Sequence, residues 1–398
     1  MDLNYGAAAE SFRGEVSAFL KDSWQPGERR GPDLTEFVKH FRLAAIERGY
    51  LYRSVPRRFG GSEQPVDVIR AQVIREEFVR VRAPMEAGGN GVNMLVPTLL
   101  ERGSEELREM FIRRTIEGEL IWGQGYSEPG SGSDLASVRT KAELSADGTK
   151  WIINGQKIWT SMGMQCTHMF MLVRTEPEAP KHEGITYLLL DLNQPGITRR
   201  PIRQMTGEQG AHTFCEFFFD NVETPVAWQV GERGQGWQVS RTTLKHERAS
   251  IGSADGLGNQ FRKLVDLAKE MGRIGDPVIR DRLAEIEGRV LSHRYSSYRL
   301  FSCAAAGEDP GPIQLMMKLL LTEIGHDIAL LAQELIGEQG MVEPASAKGR
   351  GTREPRGPNK WLDQIMGSLG NSIAGGASNI QRNIIAERGL GLPRDTAA

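Results

Sequence analysis

A chain of 398 residues is long enough for two to three domains with a full core, and its 49 basic and 51 acidic side chains leave a net charge of −2. That balance argues against a nucleic-acid binder, which carries a basic excess gathered on one face. Three cysteines, Cys166, Cys215 and Cys303, are too few and too scattered for a disulfide framework or a C-x-x-C zinc site, so no metal is expected and a reducing, cytoplasmic compartment fits.

Residues 1–120 read as a helical domain. Phe12, Val16 and Phe19 recur at three- and four-residue steps, as do Leu34, Phe37, Val38, Phe41 and Ala45. A connection stopped by Pro56, Gly60 and Gly61 follows, and helices resume at about 66–81 and 105–116. Arg53, Arg57 and Arg58 in that connection are candidates to meet a phosphate, although loop arginines are ordinarily just solvated. The opening stretch shows neither the cationic segment nor the apolar core of a signal peptide. No run reaches the roughly 18 consecutive apolar residues of a membrane span.

From about Ile121 the period becomes two, in Val138, Thr140, Ala142 and Leu144 and again around Phe214–Phe218. Residues 121–232 are therefore expected to form a small β-domain, barrel-like or sandwich-like, with further strands at Met169–Val173 and Ile185–Leu190 joined by a polar hairpin tip. Asn154-Gly155 reads as another tight hairpin turn. A loop containing Pro129, Gly130 and Gly132 carries Ser127, Ser131, Ser133 and Asp134, whose hydroxyls and peptide N–H groups are free to hold a ligand. Trp159, followed by Thr160 and Ser161, suits a planar, hydrogen-bonding ligand. Gly123-Gln-Gly125 lacks the third glycine of a dinucleotide fingerprint, and the Gly130–Asp134 loop lacks the Lys-Ser/Thr of a P-loop.

Residues 233–398 return to helical periodicity, with candidate helices at 237–271, 277–306, 312–336, 360–369 and 379–388 and an exposed Gly/Pro/Arg-rich loop at 343–359. Long helices with mixed faces fit a bundle that also packs against other subunits. The fold class is α+β: an N-terminal helical domain, a central β-barrel-like domain and a C-terminal helical bundle.

The run Tyr126-Ser127-Glu128-Pro129-Gly130-Ser131-Gly132-Ser133-Asp134, followed by Asn154-Gly155-Gln156-Lys157-Ile158-Trp159-Thr160-Ser161, closely resembles the two middle-domain signatures of the acyl-CoA dehydrogenase family. The resemblance extends from the Pro56–Gly61 turn to Ile380–Ala386 and Leu390–Arg394. It implies an FAD enzyme with helical, β and helical domains in that order, usually a tetramer, passing electrons to an electron-transfer flavoprotein or similar acceptor. Carried over by residue, it implies that Ser127 and Ser161 hydrogen-bond the flavin ring edge and that Trp159 packs on its face. Gln124, Tyr126 and Thr160 line the same ring, Ser133 touches the CoA part of the substrate, and Arg248 stands on the substrate side, where an ion-pair role is its plainer reading.

The positions implied for the FAD phosphates depart from the family pattern. Arg273-Ile274-Gly275 is the nearest match to Arg-x-x-Phe-Gly, with altered spacing, and aligning Gly337-Glu-Gln-Gly340 with the family's glycine pair puts Glu334 where a Gln often sits. Asn379 is a further cofactor position. These departures leave room for a heterotetramer in which a partner supplies the missing donors, beside the homotetramer usual in the family.

Dehydrogenating a thioester needs a carboxylate at the substrate α-carbon, and burial raises the basicity of such a group. Many family members carry it in a Tyr-Glu-Gly-Thr segment near the C-terminus; counting back from Ile380-Gln381-Arg382 puts Gly375 there, which cannot take a proton. A minority carries it in a Leu-x-x-Glu-Arg segment of a third-domain helix, matched here by Leu244-Lys245-His246-Glu247-Arg248. The resemblance thus makes Glu247 the expected base, although an isolated reading of it is a solvated or ion-paired helix residue. Gly375 is expected to keep a backbone N–H for the charge on the thioester oxygen, which is compatible with a plain helix-entry turn. The expected activity is FAD-dependent conversion of an acyl-CoA to a trans-2-enoyl-CoA. The rivals are a non-catalytic or half-site subunit of a heteromeric dehydrogenase, a flavin monooxygenase or oxidase on the same fold, and a pure scaffold.

Overall fold

A computed structural model describes residues 5–205, 214–251, 255–341 and 360–394. The loop expected at 343–359 lies outside the described residues. Two compact units emerge, one formed by Met1–Arg203 with Gln209–His246, the other by Gln204–Glu208 with Glu247–Ala398.

The first unit opens with α1 (Ala7–Ser23) and α2 (Gly31–Glu47), whose apolar stripes bury Phe12, Val16 and Phe19 against Phe41, Ala45 and Tyr50. Helix α3 (Val68–Arg80) starts on an Asp67 side chain that accepts the Arg70 N–H at 2.9 Å, and α5 (Glu105–Ile116) on Ser104 accepting the Leu107 N–H at 3.3 Å; α4 (Val96–Arg102) lies between them. The α4 region carries no helix in the sequence reading because Gly88, Gly89, Gly91 and Pro97 look like breakers. Pro97 in fact follows closely on a π-helical turn, Gly91–Leu95, so the helical backbone runs through it, and the wider turn takes up the site of its missing N–H. Two of the three arginines of the 50–61 connection are engaged by the protein itself: Arg53 donates to the Gly49 carbonyl at 2.7 Å and Arg58 pairs with Glu105 at 2.6 Å.

Among the described residues eight strands follow: β1 (Trp122–Gly125), β2 (Lys141–Leu144), β3 (Lys150–Ser161), β4 (His168–Arg174), β5 (Ile185–Asp191), β6 (Ile197–Pro201), β7 (Phe214–Pro225) and β8 (Gln229–Val230). They form one curled sheet in the order β6-β7-β3-β2-β4-β5-β8, with β1 parallel beside β4. The flanks fold over one another, and the Thr224 hydroxyl of β7 donates to the Leu189 carbonyl of β5 at 2.6 Å. Strands β4 and β5 read as unbroken apolar runs because both faces are covered: Met169, Met171, Val173, Leu188 and Leu190 fill the core of the sheet domain, while Phe170, Leu172, Ile185, Tyr187 and Leu189 join the core of the N-terminal helices.

Asn154-Gly155 is not a hairpin turn. Both residues lie inside β3, where the register against β7 shifts between Ile153 and Gly155. Asn154 accepts the Asn221 N–H at 2.8 Å, and Gly155 takes φ 146° with a would-be Cβ 2.8 Å from the Thr140 Cα. A bulge and a reverse turn draw on the same small, left-handed-tolerant residues, so the dipeptide alone does not separate them.

Helix α6 (Gly236–Ile251) begins in the first unit. The second unit holds α7 (Asp255–Glu270), α8 (Pro277–Ala306), α9 (Ile313–Ile336), α10 (Lys360–Asn371) and α11 (Ser378–Ile384), the last running into a π-helical turn at Ile385–Gly389. The helix expected over 237–271 is helical on both sides of 252–254, which lie outside the described residues. Leu264, Ala268, Ile279, Ile324, Ile328, Leu331 and Trp361 form the core of this bundle. Cys166, Cys215 and Cys303 are buried free thiols, and among the described residues no helix is long and apolar enough to cross a membrane.

Candidate active site

The loop after β1 and the far end of β3 come together as one surface. Ile158 N–H donates to the Ser127 carbonyl at 2.9 Å, and the Thr160 hydroxyl donates to the Gln124 carbonyl at 3.0 Å. A second register shift, between Lys157 and Thr160, gives Trp159 a φ of 65° and turns its indole out of the sheet, 54% exposed, near-perpendicular to the Phe214 ring with centroids 5.9 Å apart. Left-handed backbone is costly for a bulky residue, and an exposed indole gains little from burial, so this local arrangement stabilises a surface rather than the core. Strand alternation then sets Ser161 outward beside Trp159 and Thr160 inward. Ser127 and Gln124 are half-buried at the edge of the same surface.

Tyr126 and Thr160 reach this surface by backbone only. Thr160 is fully buried, and the Tyr126 ring stands edge-on to Phe170 and Tyr187. They support the site from beneath rather than line it. Ser133 is exposed in the loop, whose fold is held by the Ser131 hydroxyl donating to the Asp134 carbonyl at 2.8 Å and by the Asp134–Lys181 ion pair.

Two side chains that sequence reasoning did not single out fasten this loop to the strand. Lys157, completely buried, donates to Glu128 at 2.8 Å and to the Tyr126 carbonyl at 3.2 Å. Glu128 also accepts the Arg139 N–H at 2.7 Å and the Thr140 N–H at 2.9 Å. Burial pushes the Lys157 ammonium down to about 8 against the pull of Glu128. Burial also opposes the Glu128 charge, but Lys157 and the two amides hold its carboxyl below the ordinary value. The signal in the sequence is parity: Lys157 stands in step with the inward Trp151 and Ile153, and a buried cation requires a partner.

Helix α6 is anchored on α4 along one side. Thr243 and Thr98 hydroxyls lie 3.0 Å apart, Arg102 donates to the Thr242 hydroxyl at 3.2 Å, and Glu101 meets His246 at 2.7 Å and Lys245 at 3.6 Å. Burial works against the Glu101 charge, yet His246 and Lys245 hold its carboxyl below the ordinary range. Thr243 also donates to the Tyr187 hydroxyl at 3.4 Å, and Tyr187 packs edge-on to Tyr126. Glu247 is one helical turn beyond Thr243, on the same side of α6. Replacing Thr98 by Val should cost about 1 kcal/mol, since a single buried hydroxyl pair is lost; urea denaturation of the variant reads this directly.

Within the second unit Gly375 and Gly376 take φ 62° and 100°, a turn between α10 and α11. Arg273 pairs with its neighbour Asp276 at 2.7 Å, and Glu334 pairs with Arg282 of α8. Gly337 ends α9 with φ 53°, and Asn379, exposed at the start of α11, accepts from Arg382 at 3.4 Å. Within this chain Arg273 and Glu334 are each held by a separate ion-pair partner. The backbone at Arg248 continues α6; its side chain lies outside the described set.

The profiles "Acyl-CoA dehydrogenase, N-terminal domain", "middle domain" and "C-terminal domain" match residues 7–119, 123–222 and 234–390. The acyl-CoA dehydrogenase IpdE1 of Mycobacterium tuberculosis is 36% identical, covering 98% of this chain and 96% of that protein. Among solved structures, one titled Tcur3481-Tcur3483 steroid ACAD superposes with a TM-score of 0.77 at 27% identity, covering 99% of this chain and 100% of that one. The ChsE4-ChsE5 complex from Mycobacterium tuberculosis gives 0.76 at 26% identity, again covering 99% and 100%.

Proposed function

Since the chain belongs to the acyl-CoA dehydrogenase family, we propose that it converts an acyl-CoA to a trans-2-enoyl-CoA, with the Glu247 carboxylate taking the α-proton and FAD bound along Trp159. The observation that carries the flavin half is the bulge that turns the Trp159 indole outward beside Ser161 and Ser127, a flat apolar face edged by hydroxyls that fits an isoalloxazine ring. When bound, FAD accepts the hydride from the β-carbon, and the electrons leave to an electron-transfer flavoprotein or similar acceptor. Ser127 and Ser161 orient the ring edge, and Ser133 meets the CoA portion.

Two points support Glu247 as the base. Gly375 has no side chain to take a proton, while Glu247 follows directly on the four residues of α6 that α4 grips. A backbone N–H at Gly375 serves the thioester oxygen, whose negative charge grows as the α-proton leaves. A Gly-Gly pair in place of Glu-Gly leaves room beside the acyl chain. Together with the likeness to a steroid ACAD, this favours a ring-bearing acyl group over a short straight chain.

A second reading draws on Arg273 and Glu334, which are neutralised by Asp276 and Arg282 and so offer little to a pyrophosphate. It makes the enzyme a heterotetramer in which a partner chain supplies those donors, as the likeness to a two-chain complex also suggests. In either assembly the protein works in the cytoplasm.

The test is the flavin absorbance of the purified protein under anaerobic conditions, before and after adding straight, branched and sterol-derived acyl-CoAs. Bleaching by the ring-bearing class is the expected result. Flavin that bleaches with no thioester sinks the dehydrogenase reading, rapid reoxidation by air moves it to the oxidase class, and protein that takes up no flavin until a partner chain is added selects the heteromeric form.

A further inference from the structure

Lys318 of α9 is only 4% exposed, yet both of its acceptors are backbone carbonyls, Asn371 at 3.0 Å and Gly376 at 2.8 Å, and no carboxylate among the described residues pairs with it. A buried ammonium without a counter-charge is expensive, and burial alone pushes its pKa down. An apolar side chain of the same length would fill the space at lower cost, so the charge calls for an explanation in what it holds.

The two carbonyls it bridges stand at the entry and exit of one short segment. Asn371 ends α10, and Gly376 is two residues before α11. Inside lie Gly375 and Gly376, both in left-handed backbone, and a Cβ at Gly376 would meet the Gln381 amide nitrogen at 2.2 Å. The segment is also tied at its base, where Ser378 donates to the Ser372 carbonyl from its N–H at 2.8 Å and from its hydroxyl at 3.2 Å. Glycine-rich backbone of this kind has many accessible conformations, and each tie removes some of them.

We propose that Lys318 is a positioning residue for the thioester: by bridging the Asn371 and Gly376 carbonyls it fixes the peptide planes around Gly375, and so the direction of the N–H aimed at the thioester oxygen. This rests on the dehydrogenation reading above. The nitrogen matters because it donates to two carbonyls from one point; Met has no donor, and the Gln NH2 sits one bond nearer the backbone.

The experiment compares wild type, Lys318→Met, Lys318→Arg and Lys318→Gln as holoprotein. Lys318→Met should bind FAD and acyl-CoA within a few-fold of wild type but reduce flavin about tenfold to a hundredfold more slowly in stopped flow, the scale of a misplacement near 1 Å. Lys318→Arg, with several N–H donors, should recover part of the loss. Hydrogen exchange at 375–377, read on the apoprotein, should rise in Lys318→Met. A merely structural role lowers the melting temperature and leaves the reduction rate and the rescue order unchanged. Equal reduction rates in wild type and Lys318→Met overturn the inference alone, whereas a wild type that no acyl-CoA bleaches overturns the dehydrogenation reading and this inference with it. If Lys318→Met does not fold, a Lys318→Gln protein reducing flavin at the wild-type rate is equally decisive against it.

Discussion

Glu247→Gln is expected to bind FAD and acyl-CoA normally and to reduce its flavin at least ~100-fold more slowly than wild type, the usual contribution of a positioned general base. The substitution keeps the size and the hydrogen-bonding edge of the side chain while removing its ability to take a proton. Because α6 is gripped at Thr242, Thr243, Lys245 and His246, the exchange one residue further on leaves the helix anchored. Stopped-flow absorbance under anaerobic conditions gives the rate, and the flavin-to-protein ratio gives occupancy. Retained turnover in Glu247→Gln would place the base elsewhere. Loss of FAD in the variant would make Glu247 a binding residue instead.

Lys157→Met should destabilise the protein by about 3–5 kcal/mol, the cost of leaving the buried Glu128 carboxylate without its cation. Adding Glu128→Gln to the same chain should recover much of that loss, because no uncompensated charge then remains. The pH dependence separates the two proteins by sign. In wild type the Glu128 carboxyl is held below its ordinary value, so its contribution is present above the ordinary carboxylate range and disappears as pH falls through the lowered value. In Lys157→Met only the Arg139 and Thr140 N–H groups still oppose burial, so the carboxyl rises, and the variant should regain stability on mild acidification and lose it as pH rises through the raised value. Urea denaturation at several pH values measures both slopes. A Lys157→Met protein as stable as wild type at neutral pH would show the pair to be dispensable to the loop it ties down.

What the sequence makes legible follows from how local each signal is. Ser127, Trp159 and Ser161 stand in contiguous motifs, and β4 and β5 announce themselves as apolar runs, so these are read without knowing any distant contact. Asn154-Gly155 misleads because a bulge and a turn need the same backbone freedom; only the neighbouring Asn221, 67 positions away, decides between them. Helix α4 hides behind glycines and Pro97, whose effect depends on whether they fall inside a helix or at its start. The Glu128–Lys157 pair and the Lys318 bridge join residues 29 and 53 to 58 apart. No period or local composition reveals such pairings, and both are inward charges whose purpose appears only once the partner is seen.

Strands β4 and β5 send alternate side chains into two different cores, and this constrains how the chain is made. As the protein leaves the ribosome, helices α1 to α5 are complete by Ile116, but the apolar surface that covers them, Phe170, Leu172, Ile185, Tyr187 and Leu189, is translated some fifty to seventy residues later. Until then those helices lack the strand side chains that complete their core, so the nascent chain exposes apolar surface. A pause in translation once β5 has cleared the ribosome would favour productive folding, whereas a stall before β4 has emerged would favour aggregation.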